Sequence, residues 1–81
     1  MKTQEIKPFL TEALVAEVMQ AIQSKTTRLV ATYSEDLHST LEQRRCALGG
    51  MLELARTLDA WRLVKALEAH ANELRRQIEA L

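Results

Sequence analysis

The sequence predicts an all-α protein in which two long helical segments fold into a hairpin. Apolar residues recur three and four positions apart over most of the 81 residues, a spacing that is typical of amphipathic helices. The chain has only two glycines and one proline, so it offers few positions for turns. The two glycines are adjacent, at Gly49 and Gly50, near the middle of the chain. We therefore expect a single helical domain over residues 1–81 that reverses direction at Gly49-Gly50.

The first helical segment is expected over residues 9–48, after a polar lead-in at residues 1–8. Pro8 suits a first helical position or a turn just before one, because it has no N–H to leave unpaired. Thr11 is an alternative N-cap, because a threonine hydroxyl can accept a hydrogen bond from a free N–H of the first turn. No proline or glycine interrupts the segment. However, Ser34 is followed by two acidic residues, a pattern typical of a new helix start. Two versions stay open: one long bent helix, or a break near Tyr33-Ser34.

The adjacent glycines are the strongest turn signal in the chain. Two glycines inside a helix would cost on the order of 2 kcal/mol relative to two alanines. A glycine just past a helix end costs little, since it can adopt the left-handed conformation that satisfies the terminal carbonyls. A small-residue surface for close helix packing is the main alternative. A phosphate-binding loop is not expected, because the preceding strand and the Lys-Ser/Thr pair of such motifs are missing.

The second helical segment is expected over residues 51–80. Its last part has apolar residues spaced alternately three and four apart, as in the seam of a coiled coil. These residues are Val64, Leu67, Ala71, Leu74, Ile78 and Leu81. The apolar face shifts near Trp61, which we interpret as a wider face that contacts more than one neighbouring helix.

A hairpin with this turn leaves apolar side chains uncovered at its open end. Residue i would lie near residue 99−i, so Phe9, Leu10, Leu14 and Val15 would extend beyond the end of the second segment. Burial of a leucine or valine side chain contributes about 1.5–3 kcal/mol, so several exposed ones would be a large loss. Either the first segment breaks to form a three-helix bundle, or two hairpins pair into a dimeric four-helix bundle. We favour the homodimer.

Composition argues against several classes of protein. Eleven basic residues balance eleven acidic ones, whereas nucleic-acid-binding proteins usually carry net positive charge. The single cysteine, Cys46, excludes an internal disulfide and fits a reducing compartment; we expect it to be buried as a small apolar side chain. No apolar run approaches the length of a membrane span. A cytoplasmic protein without a membrane partner is the resulting expectation.

Residues that could support chemistry are few. The i, i+3 spacing of Glu35 and His38 is used in di-iron bundles, and His70 with Glu73 repeats it in reverse. In the predicted hairpin, however, the two histidines lie roughly 13 Å apart along the axis, too far for one metal. Cys46 has no base with which to act as a nucleophile. We expect no enzymatic activity, no cofactor and no metal; a metal held between two subunits stays an alternative.

Arginines and one tryptophan are the candidate contact residues. Four arginines follow an acidic residue by three positions, the spacing of ion pairs on a helix surface. These pairs are Glu42–Arg45, Glu53–Arg56, Asp59–Arg62 and Glu73–Arg76. Arg44 has no such partner, and with Arg45 and Arg56 it could form a polar patch around the predicted turn. Trp61 belongs to the residue type most enriched at binding hot spots.

The sequence therefore favours a small non-enzymatic protein-binding module, such as an adaptor, an inhibitor or a chaperone-like regulator. Its expected partners are a second copy of itself and an unidentified protein. The alternative is a nucleic-acid-binding regulator that uses the cluster of Arg44, Arg45 and Arg56. The absence of catalytic motifs and the excess of apolar stripes favour the first hypothesis.

Overall fold

The computed structural model describes residues 11–81, which form three α-helices and, within that range, no strand. The helices are α1 (Glu12–Thr32), α2 (Leu37–Thr57) and α3 (Trp61–Glu79). A single turn of 3-10 helix, Ser34–Asp36, connects α1 to α2. The all-α class is thereby confirmed, whereas the two chain reversals lie elsewhere than at the glycines.

Helix α1 begins and ends as its sequence suggests. The Leu14 N–H donates to the Thr11 hydroxyl at 3.2 Å, so Thr11 is the N-cap. At the other end, the Tyr33 N–H donates to the Leu29 carbonyl at 2.9 Å, and the chain then enters the 3-10 turn. Of the two versions of the first segment, the broken one is correct.

The predicted turn at Gly49-Gly50 is wrong, because both residues lie inside α2. Neither has a positive φ, and both are exposed to solvent. The reason lies on the opposite face of the helix, where Leu41, Leu48 and Ala55 are at most 2% exposed. These three residues are seven positions apart, so they share one face only if the helix is continuous. Their burial offsets the low helix propensity of the glycines.

The second reversal lies at residues 58–60. The Ala60 N–H donates to the Ala55 carbonyl at 2.9 Å and the Asp59 N–H donates to the Arg56 carbonyl at 3.1 Å. These two bonds define a Schellman motif, which usually has glycine in the left-handed position. Here Asp59 takes that position, with φ 56°, and aspartate tolerates it better than most residues. Ala55 and Ala60, both buried, supply the apolar contact of the motif.

The second predicted segment, residues 51–80, is therefore two pieces of helix rather than one. Residues 51–57 end α2, and α3 starts only at Trp61. The shift of the apolar face near Trp61 marks this junction, and α3 contacts both other helices, as a wider face predicts. The predicted seam is mostly present in α3: Val64, Leu67 and Leu74 are buried, while Leu81 is exposed.

The core forms mainly between α2 and α3. The largest fully buried side chains all belong to these helices, and they are Leu41, Leu48, Leu67 and Leu74. Helix α1 runs antiparallel to α2, contacts both other helices, and buries Val15, Met19 and Thr26. This packing is compatible with a three-helix bundle, one of the two arrangements expected for an incomplete hairpin.

The predicted overhang is therefore wrong for Val15, which lies in the core of its own chain. Leu14 is half-buried, while Phe9 and Leu10 lie outside the described residues. Burial of Val15 needs no second subunit. Within residues 11–81, no helix combines the length and the apolar character that a bilayer crossing requires.

Candidate functional site: an apolar groove between the three helices

An apolar groove of about 160 Å³ lies where all three helices meet, close to the turn between α2 and α3. Every residue that lines it is apolar. Helix α1 provides Val18 and Ile22, the α2 side provides Met51, Leu54, Ala55 and Leu58, and α3 provides Leu63 and Leu67. A groove of this composition can hold apolar side chains, but it offers no side-chain group for acid–base or metal chemistry.

The Schellman turn positions the walls of this groove. Ala55 and Leu67 are buried and form its floor. Leu54 and Leu58 are four positions apart, so they project from the same side, and they remain 62% and 49% exposed. Val18, at 36% exposure, forms the opposite wall on α1. The groove is therefore bordered by large apolar side chains that no described residue covers.

Trp61 lies beside this groove in sequence, as the first residue of α3 directly after the turn. Its side chain is 59% exposed. Indole combines a large apolar surface with one N–H donor, which explains its enrichment at interfaces. The structure thus gives Trp61, a predicted contact residue, an exposed position three residues from Leu58.

The three predicted patch arginines do not form one surface. Arg44 is only 7% exposed, so it lies in the core. Its position follows from α2, in which it is three residues after Leu41 and four before Leu48, on the buried face. Arg56 is twelve residues further along the same helix, about 18 Å away along the axis. Because α2 continues through the glycines and the chain does not reverse there, the geometry that would have brought these arginines together is not formed.

Arg45 and Arg56 are exposed and paired with carboxylates. Arg45 lies 3.5 Å from Glu42, as the i, i+3 spacing predicts. Arg56 instead reaches Glu68 of α3 at 2.7 Å, so the predicted pair with Glu53 does not form. Arg76 and Glu73 form the predicted pair. Within residues 11–81, Arg62 forms no ion pair with Asp59, because Asp59 lies in the turn and the helical i, i+3 spacing does not apply there.

The remaining reactive side chains do not assemble into a site. Cys46 is exposed, so its predicted burial is wrong. It lies on the exposed face of α2, which also carries Gly50. His38 is exposed on the same helix. Among residues 11–81, no group of three or more histidine, cysteine or acidic side chains is placed to hold a metal ion.

His70 is the one histidine in contact with the interior. It is half-buried, and its Nε2 atom is buried without a hydrogen-bond partner in the described structure. Burial and, next, the positive charge of Arg44 lower the pKa of His70, while the charge of Glu73 opposes them. Together these effects favour the neutral imidazole.

Comparison of the chain with protein-family models, with curated proteins and with solved structures found no match. Function therefore has to be argued from the geometry of the groove. Of its leucines, Leu67 was identified from the sequence as part of the predicted seam, whereas Leu54 and Leu58 were not identified as part of a site. The signal that could have identified this site is the spacing of Leu54, Leu58 and Trp61. Near the end of α2, these residues no longer follow the buried face on which Leu48 and Ala55 lie.

Proposed function

We propose that this chain is a non-enzymatic protein-binding module that acts through its apolar groove, and that the occupant of the groove is a second copy of the chain. The observation that carries this proposal is the groove itself, which is entirely apolar and bordered by exposed Leu54 and Leu58. Contiguous apolar surface of this kind is typical of interaction sites. A regulatory role in the cytoplasm, as adaptor, inhibitor or chaperone-like protein, belongs to the same proposal.

A second copy suits this surface because the patch carries both a recess and projecting side chains. A two-fold symmetric interface uses the same patch on both subunits, so the patch must be complementary to itself. Leu54 and Leu58 line the groove and are exposed, and the exposed Trp61 follows Leu58 by three residues. Each subunit could thus insert apolar side chains into the groove of the other. No charged residue lines the groove to select a charged partner.

The nucleic-acid alternative has no comparable observation in its favour. It depended on Arg44, Arg45 and Arg56 acting together. Arg44 is buried, and the other two arginines are each paired with a glutamate. Neutral net charge adds no general attraction to phosphate.

The proposed dimer is tested by the variant Leu54→Lys, measured by light scattering over a range of concentrations. Leucine and lysine have similar helix propensity, and Leu54 is 62% exposed, so folding should be retained. Removal of a buried leucine from an interface costs about 1.5–3 kcal/mol, so we expect the dimer dissociation constant to rise by about tenfold or more. Trp61, the only tryptophan, gives a second readout, because its emission should shift to shorter wavelength on dimerisation.

The matched control is Leu81→Lys, since Leu81 has nearly the same exposure, 63%, but lies at the far end of α3. This variant should dimerise like the unmodified chain. A chain that stays monomeric at every concentration, or a dimer that both substitutions weaken equally, would overturn the proposed use of the groove.

A further inference from the structure

Arg44 is a buried arginine that forms no ion pair with any acidic residue among residues 11–81. Its Nε–H donates to the Thr26 hydroxyl at 3.1 Å, and that hydroxyl in turn donates to the Ile22 carbonyl at 3.1 Å. Among residues 11–81, no carboxylate oxygen lies within 4.0 Å of the Arg44 guanidinium. The side chain is nevertheless 93% covered, since its exposure is 7%. A fixed positive charge is thus held in place by a single neutral hydroxyl.

This arrangement covers most of the charge and compensates it only in part. Nη1 and Nη2 have no hydrogen-bond partner among the described residues, but they are not fully buried, so they are accessible from the solvent side. Transfer of an ion out of water costs several kcal/mol, and a guanidinium does not lose its proton to avoid that cost. The five N–H donors of arginine match the two oxygens of a carboxylate, and only Nε–H has a partner among the described residues. An anion next to Arg44 would supply both the missing charge and the missing acceptors.

A polar groove gives access to Arg44. It has a volume of about 310 Å³ and lies between the end of α1, the 3-10 turn and the first half of α2. Apart from Leu29, its lining residues all carry polar groups. They are Tyr33, Asp36, Ser39, Thr40, Gln43 and Arg44. The hydroxyl and amide groups can donate hydrogen bonds to an anion, while Asp36 adds one negative charge to the same groove.

We propose that this groove binds a carboxylate, with the Arg44 guanidinium as its counter-charge. Asp36 sets the preference among anions, because its charge opposes a doubly charged phosphate more than a singly charged carboxylate. This site is separate from the apolar groove, which lies at the other turn of the bundle. A carboxylate can come from a small metabolite or from an acidic side chain of a protein, and both share the chemistry that Arg44 recognises.

The test is a titration followed by NMR of the Arg44 Nε–Hε signal, at constant ionic strength balanced with chloride. Sodium acetate is the first probe, a blocked Gly-Glu-Gly peptide the second and inorganic phosphate the third. We expect saturable shifts with acetate or the peptide, and weaker binding of phosphate. The tighter of the first two probes identifies the source of the carboxylate.

Three variants distinguish this site from general anion effects. Arg44→Met should abolish saturable acetate binding. Because this variant has no arginine Nε–Hε signal at position 44, binding is followed through the backbone amides of α2. If Arg44→Met does not fold, the titration is repeated with Arg44→Lys, which keeps the positive charge but lacks the planar guanidinium. Arg45→Met is the matched control, since this neighbouring arginine is exposed and paired with Glu42; it should bind acetate unchanged. Asp36→Asn should tighten phosphate binding by about fivefold, the effect of removing one nearby like charge close to the surface.

Several results would overturn the proposal. The first is the absence of saturable carboxylate binding in the unmodified chain. The second is equal carboxylate binding by Arg44→Met. The third is that the unmodified chain binds phosphate more tightly than both carboxylate probes.

Discussion

The hairpin of α2 and α3 and the single helix α1 contribute to this molecule in different ways. Among residues 11–81, the hairpin supplies the largest fully buried side chains, namely Leu41, Leu48, Leu67 and Leu74. Helix α1 buries only Val15 and Met19, at 9% and 8% exposure, and a threonine. Its apolar stripe packs on the same core through Val15, Met19, Ile22 and Val30, and it is interrupted at Thr26, whose hydroxyl accepts a hydrogen bond from Arg44.

This difference explains where the binding surfaces lie. Helix α1 forms one wall of the apolar groove through Val18 and Ile22. In the polar groove that contains Arg44, one wall is formed by Leu29 of α1 and by its C-cap residue Tyr33. Both exist because α1 covers the hairpin incompletely. Tight packing in this molecule therefore provides stability, and the less complete packing of α1 provides accessible surface.

The largest expected effect comes from truncation of the hairpin core. Leu48→Ala removes a side chain with 0% exposure, so we expect the free energy of unfolding to fall by about 2–5 kcal/mol. Met19→Ala in α1 should cost less, because its environment is partly open and can collapse into the space. Urea denaturation of both variants measures the contrast. Equal losses would show that α1 belongs to the same cooperative core as the hairpin.

The glycines of α2 give an effect of the opposite sign. A Cβ added at Gly49 or Gly50 would meet nothing within 4 Å, and neither backbone is left-handed. Gly49→Ala and Gly50→Ala should therefore each stabilise the monomer by up to about 1 kcal/mol through helix propensity. Thermal unfolding at low protein concentration measures this.

The reverse result at the glycines would be informative. If Gly50→Ala lowers the stability while Gly49→Ala raises it, the face with Cys46 and Gly50 is in close contact with another helix. The close-packing alternative predicted from sequence would then be correct in an oligomer.

The sequence was sufficient for the helical class and for most of the seam of α3, and it offered the cap at Thr11 and the break near Ser34 each as one of two alternatives, because each of these features depends on neighbouring residues. It was misleading at the second turn, because two contributions opposed one another there. Local propensity favoured a turn at Gly49-Gly50, whereas the heptad spacing of Leu41, Leu48 and Ala55 required a continuous helix. The actual turn uses Asp59 in a left-handed conformation, and aspartate is a much weaker signal than glycine.

The site was less accessible to sequence reasoning than the fold. Arg44 was placed in a surface patch because it has no acidic residue three positions before it and lies close to the predicted turn at the glycines. Its spacing from Leu41 and Leu48 already put it on the apolar face. The groove residues Val18 and Leu54 come from different helices, so their proximity depends on the register between α1 and α2. A prediction with the turn at the wrong residues cannot give that register.

The smallest expected effect concerns His70, which lies between α1 and the hairpin near Thr26, Arg44 and Glu73. Its folded-state pKa is lowered from 6.5, first by burial and then by Arg44, so the unfolded chain binds a proton more readily than the folded one. Stability should therefore be fully present above pH 6.5, fall as the pH decreases through that value, and level off below the folded pKa. His70→Gln should remove this part of the pH dependence in urea denaturation, and His38→Gln, at an exposed position on α2, should leave it unchanged. The unmodified chain, His70→Gln and His38→Gln could instead show the same dependence of unfolding free energy on pH. Water between α1 and the hairpin would then solvate the protonated His70 ring, and α1 would pack less closely than its buried residues indicate.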